Sequence, residues 1–298
     1  MNFGIIAMIL VGVSWITWGY VAGAAPKRKV DMGYVVAACA AISVVISLVP
    51  VSMQKMPDFS NTGVLLILLL VFLGGAFNYA QLQLMGRAMK HGPNGIIWSI
   101  IQSGFICPFA VGVIFFGVPL TLNLVIAVAL VVLALVLFAV SADNKSQGKW
   151  LLLTILSFAA TCSCQSFQNI PSYLEGVSGV SSIWRTLCYF AGMFGGFLVS
   201  LVCDPAMRKN CAAAFANKFT WLYALLIDVV EIIACYCLLF PGMDALAKAG
   251  QGAIATQLMT ASSIVTFELY ALCILKEKRK PIQIFALLCC LAAIAAVF

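Results

Sequence analysis

The feature that most constrains this chain is the repetition of one length. Apolar stretches of roughly 20 residues, the length a helix needs to cross a hydrocarbon core, follow one another from Phe3 to Phe298, and no polar gap between them exceeds about fifteen residues. A soluble catalytic domain has no room between them. Composition agrees: of 298 residues, 63% are hydrophobic and 9% charged, where soluble domains run near 45–50% and about 25%. The expected fold is an all-α integral membrane protein, because a helix satisfies its backbone polar groups within one segment. The first stretch has neither a basic leader nor a small-residue cleavage site, so it is expected to be a span rather than a cleaved signal.

Apolar runs and their breakers predict ten transmembrane helices, at about 3–23, 32–50, 63–86, 94–116, 120–141, 149–170, 181–203, 218–240, 250–275 and 281–298. Pro26, Pro57, Pro93, Pro119, Pro171, Pro205, Pro241 and Pro281 fall at or near the proposed turns, where a missing N–H costs little. Of the 17 basic residues, 14 sit in the odd-numbered connections: Lys27, Arg28 and Lys29; Arg87 and Lys90; Lys145 and Lys149; Arg208, Lys209 and Lys218; and Lys276, Lys278, Arg279 and Lys280. Only Lys55 and Lys248 lie in the even ones, and Arg185 falls within a span. The positive-inside rule then makes the odd connections cytoplasmic and places both termini outside an inner or plasma membrane. The net charge of +7 is thereby a topology signal, with no polar domain to carry a nucleic-acid surface.

Two stretches about 160 residues apart follow one plan. "LMGRAMKHGPNGIIWSIIQSGFICPFAVGVIFFGVPLTLNLVIAVALVVLALVLF" and "LLFPGMDALAKAGQGAIATQLMTASSIVTFELYALCILKEKRKPIQIFALLCCLAAIAAVF" each run from a helix end through a Gly-containing turn into a helix with polar residues near its start. A charged or Pro-containing turn and a bland apolar helix then close each stretch. Two repeats are expected, residues 1–143 and 144–298. Five helices is an odd number, so the second repeat enters the membrane in the opposite sense, the inverted arrangement of secondary transporters with a midplane site.

In this five-plus-five plan of short-looped helices the chain resembles the drug/metabolite transporter superfamily (EamA-like) over essentially its whole length. Three segments are similar to its rhamnose transporter and glucose/ribose porter branch: "VSWITWGYVAGAAPKRKV", "FNYAQLQLMGRAMKHGPNGIIWSIIQSG" and "LKEKRKPIQIFALLCC". An outward amino terminus fits that branch too. The resemblance implies a carrier for a sugar or sugar-like solute.

Charged groups within spans are costly and are functional candidates by default. Four stand out: Arg185, Asp228, Glu231 and Glu268. The spacing of Asp228 and Glu231, i and i+3, predicts that both carboxylates share one helix face. Two such carboxylates cannot both ionise cheaply in low dielectric, so these two and Glu268 are the proton-coupling candidates. Four bland alternatives stand beside this: one acid pairs structurally with Arg185, Asp228 sits shallower and is solvated, Arg185 snorkels to the outer face, or Glu268 reaches the cytoplasmic interface. Buried amides should point into the bundle, which selects Asn78, Gln81, Gln102, Gln165, Gln168 and Gln257 for the substrate site, with Arg185. Trp15 and Trp98 offer stacking faces, as do Trp18 and Tyr20 on the first helix, for which an interfacial belt is the alternative reading. Interhelical packing alone would also account for many of the amides.

The remaining signals are bland. Most of the twelve cysteines lie inside apolar stretches without CxxC or Cys/His spacing, so packing is expected and no metal or cofactor site. Gly19 and Gly23, and Gly192 and Gly196, have the Gly-xxx-Gly spacing that lets helices approach closely. The single histidine, His91, sits in a Gly-Pro turn, and no nucleophile stands beside a base, so an enzyme is not expected. The function expected is secondary active transport of a small polar metabolite, taken up with protons. An exporter of amino acids or drug-like cations, or a non-transporting receptor or scaffold, are the alternatives.

Overall fold

A computed structural model describes residues 2–117, 122–141, 147–174, 176 and 179–296. The expected boundary between the repeats at 143/144, Pro119 and Lys145, the start of the fifth span and the end of the last lie outside these residues. Every regular element among them is helical: α1 (Asn2–Ser14), α2 (Ile16–Ala24), α3 (Met32–Ser52), α4 (Thr62–Met89), α5 (Asn94–Gln102), α6 (Ile106–Phe116), α7 (Leu122–Ser141), α8 (Gln147–Asn169), α9 (Ser182–Cys203), α10 (Pro205–Ala216), α11 (Lys218–Ile233), α12 (Phe240–Lys248), α13 (Ala255–Cys273) and α14 (Pro281–Ala295). Seven rods are long and apolar enough to cross a membrane: Asn2–Arg28, Met32–Ser52, Thr62–Met89, Asn94–Phe116, Lys149–Tyr173, Ser182–Cys203 and Lys218–Lys248. The helices α7, α13 and α14 pack beside them.

Short polar side chains start several helices by accepting otherwise orphaned N–H groups. Asp31 accepts from Gly33 N at 3.0 Å, Asn61 from Gly63 N at 2.8 Å, Asp204 from Ala206 N at 3.0 Å and Asn217 from Phe219 N at 3.0 Å. Proline decides where the rods bend. Pro108 cannot donate a helical bond, and the expected continuous helix 94–116 is interrupted by a 3-10 turn at Ser103–Phe105. Pro241, expected to end its helix near 240, instead lies inside a helix that continues to Lys248, because a π-helical stretch at Ala234–Leu239 absorbs the mismatch. The seventh connection, expected as a basic turn, contains the 12-residue helix α10.

Burial is reversed relative to a soluble protein. On α11, Leu222, Leu225, Val229 and Ile233 are exposed, whereas Thr220, Asp228 and Glu231 are buried. Polar groups buried and apolar groups outside is the distribution a hydrocarbon solvent selects. The interior is built on close contacts: α4 lies along α8 and α9, α11 along α3, α1 along α13 and the π-helical stretch, α8 along α5 and α6, and α7 along α14. Gly75 on α4 and Gly192 on α9 set one of these distances. A Cβ on Gly75 would overlap the Tyr189 carbonyl, and one on Gly192 the Phe72 carbonyl. Gly196 of α9 also packs against α4, beside the Ala76 carbonyl, Gly19 sits under the Phe267 ring, and Gly23 faces Asn94.

Candidate functional site

Six segments of the bundle meet at an enclosed cavity. Its wall comprises Trp15 and Trp18 from the first rod, Asn78, Gln81 and Leu82 from α4, Trp98 and Gln102 from α5, Cys164, Gln165 and Gln168 from α8, Tyr189 and Phe190 from α9, and Glu231 from α11. Eight of the twelve residues selected from sequence therefore share one chamber: Trp15, Asn78, Gln81, Trp98, Gln102, Gln165, Gln168 and Glu231. Each arrives by helical periodicity: Gln165 and Gln168 are three residues apart on α8, and Trp98 and Gln102 four apart on α5. The chamber is small, about 30 Å³, room for a water or two, against the 300 Å³ or more of typical ligand sites. It must widen before it admits a solute.

Some of its polar atoms are satisfied within the protein. Trp98 donates its indole N–H to Ser263 Oγ at 3.0 Å and lies against the Phe267 ring, 4.8 Å between centroids. Asn78 Nδ2 donates to Met193 Sδ at 3.7 Å, and Tyr189 is in hydrogen-bonding reach of Gln168. Others are not: Gln102 Oε1, Gln165 Oε1 and Glu231 Oε1 are buried without a partner. Leaving such an atom unmade costs about 1–3 kcal/mol. Three unpartnered acceptors around one chamber are what a donor-bearing ligand or water would satisfy.

The four remaining candidates lie elsewhere. Asp228 and Glu231, expected to serve one face together, diverge. Asp228 turns to α3, accepting from Ser43 Oγ and from Cys39 Sγ at 3.6 Å, while Glu231 faces the chamber beside Trp18. Residues three apart point about 60° apart on a helix, so the two share one broad face whose two flanks meet different neighbours. Arg185 neither snorkels nor pairs with either acid: it is 2% exposed, packs over the Phe240 ring at 4.9 Å and makes a bidentate pair with Asp244. Glu268, expected near the interface, is 5% exposed and pairs with Arg279 at 3.2 Å while accepting from Ser99 Oγ. Gln257 is fully buried on α13, bonded through Oε1 to Thr256 with its Nε2 unpartnered, and does not line the chamber.

Sequence reasoning missed several residues. Trp18 is buried and lines the chamber rather than a belt, and only Tyr20 of that pair is exposed. Asp244 and Arg279, read as connection residues, are ion-pair partners of span residues. Tyr189, Phe190 and Cys164 carried no signal, being ordinary members of apolar runs. Among the described residues, no group of three or more His, Cys, Asp or Glu side chains is placed to hold a metal ion.

No family model matches the sequence, and no curated protein matches it. Solved structures do: 22 chains match in three dimensions. One of them, described only as "Crystal structure of protein", is 12% identical, covers 98% of this chain and 96% of that chain, and superimposes with a TM-score of 0.62. At that identity the likeness extends to the fold over almost the whole chain. Fold, apolar exterior and buried polar chamber together define a multi-pass membrane protein.

Proposed function

We propose that this protein is a secondary transporter of the drug/metabolite transporter type, moving a small polar solute by alternating access around the chamber. The carrying observation is the convergence of neutral amides, indoles and one carboxyl from six segments on an enclosed space inside a bundle with an apolar exterior. The helix contacts support ten crossings in two inverted repeats, 1–143 and 144–298. Numbering the expected spans one to ten in chain order, with α7, α13 and α14 as the fifth, ninth and tenth, contacts between spans 3 and 6, 3 and 7, and 1 and 9 recur between 8 and 1, 8 and 2, and 6 and 4. Exchanging each span for the one five places on reproduces the pattern, as a pseudo-two-fold requires. The charge distribution supports an inner or plasma membrane location with both termini outside.

For substrate and coupling, the reading is a sugar or sugar-like solute taken up with protons, Glu231 being the carrier at the chamber and Asp228 its neighbour on α3. Unpartnered acceptors suit hydroxyl donors, and indole faces suit sugar rings. One observation favours a second reading: Glu231 is the only ionisable acid on the wall and stands beside Trp18, near Trp15 and Trp98, the surroundings an organic cation would use. Thermal unfolding of the purified protein against sugars, amino acids and organic cations separates the two. A ligand at about 100 times its Kd stabilises by roughly 2.7 kcal/mol. A shift confined to sugars supports the first reading and one confined to cations the second; no shift with any solute counts against transport. In liposomes, Glu231→Gln is expected to abolish pH-driven accumulation while exchange persists, and accumulation at full rate would remove Glu231 from the coupling role.

A further inference from the structure

One helical turn beyond the chamber wall stands an ion pair, and that pair borders a second, open recess. Tyr189 on α9 and Gln168 on α8 line the chamber. One helical turn farther along the same two segments are Arg185 and Ser172, and both bond to Asp244 of α12: Arg185 through both guanidinium ends, one at 3.0 Å, and Ser172 Oγ at 3.3 Å. Arg185 and Asp244 also line a separate vestibule of about 460 Å³, with Ser181, Ser182 and Lys248. The pair thus stands one helical turn from two wall residues of the 30 Å³ chamber and itself borders a solvent-sized recess. Its burial is graded accordingly, Arg185 at 2% and Asp244 at 23% side-chain exposure. Arg185 Nε has no partner, so the guanidinium is held from one edge and by the Phe240 ring.

We infer that the Arg185–Asp244 pair is the releasable closure between the chamber and the membrane face opposite the basic connections. Parting α9 from α12 by one side-chain length joins vestibule to chamber without disturbing the rest of the wall, and Ser172 ties the end of α8 to the same point. Water in the vestibule can solvate Asp244 as the pair opens, which makes release less costly than for a pair buried on both sides. The inference rests on the chamber being the solute site, but it concerns access and can be measured without knowing the solute.

Cys164, in the chamber wall and 3% exposed, is a built-in reporter. The full-length protein in sealed vesicles is treated with a membrane-impermeant charged thiol reagent on one side at a time, and modification of Cys164 is followed by peptide mass spectrometry. Asp244→Asn is expected to raise the Cys164 rate at least tenfold from one face only, the face away from Lys90 and Lys280, and the exchanged pair Arg185→Asp with Asp244→Arg to return it toward the original value. Ser172→Ala strands no charge and is expected to raise the rate two- to threefold; it decides the matter if Asp244→Asn does not fold. An unchanged Cys164 rate in the folded variants overturns the inference. A rate that responds while no solute shifts the thermal midpoint keeps the closure and removes the transport reading; a solute-induced shift with an unresponsive Cys164 does the reverse.

Discussion

Two buried ion networks stand at opposite ends of the chamber and differ in what surrounds them. At one end Arg185 meets Asp244 beside an open vestibule, with the Phe240 ring and Ser172 Oγ as the neighbouring ties. At the basic end Arg279 meets both Glu268, at 3.2 Å, and Glu277, at 2.8 Å. There Glu277 accepts from the backbone N–H groups of Asn94 and Gly95, and Glu268 from Ser99. This second network closes over the N-terminus of α5, one turn below Trp98, and an added Cβ on Gly95 would run into Arg279 and Glu268. The chemistry is shared but the number of constraints is not. A pair with one acid beside an open recess can open; a network that joins two acids to one guanidinium and also caps a helix acts as a staple, because opening it strands several groups at once.

That contrast can be broken by unfolding measurements. The largest expected loss follows Arg279→Leu, which leaves Glu268 and Glu277 facing each other without a counter-charge and should cost about 3–5 kcal/mol, read as a fall in the denaturation midpoint. Asp244→Asn should cost less, about 2–3 kcal/mol, since it leaves one buried cation without its counter-charge rather than two acids, and the amide keeps a carbonyl acceptor toward Arg185. Equal losses at the two ends would erase the distinction between latch and staple. Glu277→Ala removes the cap of α5 and should cost about 1 kcal/mol, detectable as faster amide exchange at Asn94 and Gly95.

The smallest effect is expected at the exposed Arg87–Asp204 pair, 3.0 Å apart and 34% exposed on each side. The Arg87 hydrogen bond, with those from Met207 N and Ala206 N, holds the Asp204 carboxyl below its ordinary range. A carboxyl lowered on folding adds stability that is present above its unfolded value and lost as pH falls through its folded one. Arg87→Gln should therefore lower stability near neutrality slightly, by no more than about 0.5 kcal/mol after solvent screening, and leave it unchanged in acid once Asp204 is protonated, so that the acid limb is flatter.

Membrane class and most of the chamber's polar wall could be read from the chain, because an amide within an apolar run is visible without coordinates and has few places to go in hydrocarbon. Trp15, Asn78, Gln81, Trp98, Gln102, Gln165, Gln168 and Glu231 all follow that logic. The logic fails where a partner lies across a turn. Asp244 and Arg279 looked like connection residues because proline and charge marked the ends of helices there. The π-helical stretch before Pro241 carries one helix past its expected end, and Arg279 folds back into the bundle to meet Glu268.

What the sequence determined by itself was the solvent this chain is built for, the number and spacing of its apolar stretches, and which polar side chains would have to face inward. Those are consequences of transfer free energies along a single segment, and they need no neighbour. Only the tertiary structure decided which inward groups are satisfied and which are not. That Asp228 goes to Ser43 while Glu231 faces the chamber, that Arg185 takes Asp244, and that three acceptors on the chamber wall stay unpartnered depend on helix rotation and close approach, set at Gly75 and Gly192 by contacts between residues more than 100 positions apart. Hydrogen bonding is short-ranged and directional, so a displacement of one helical turn, invisible in the sequence, separates a ligand-binding group from a structural one.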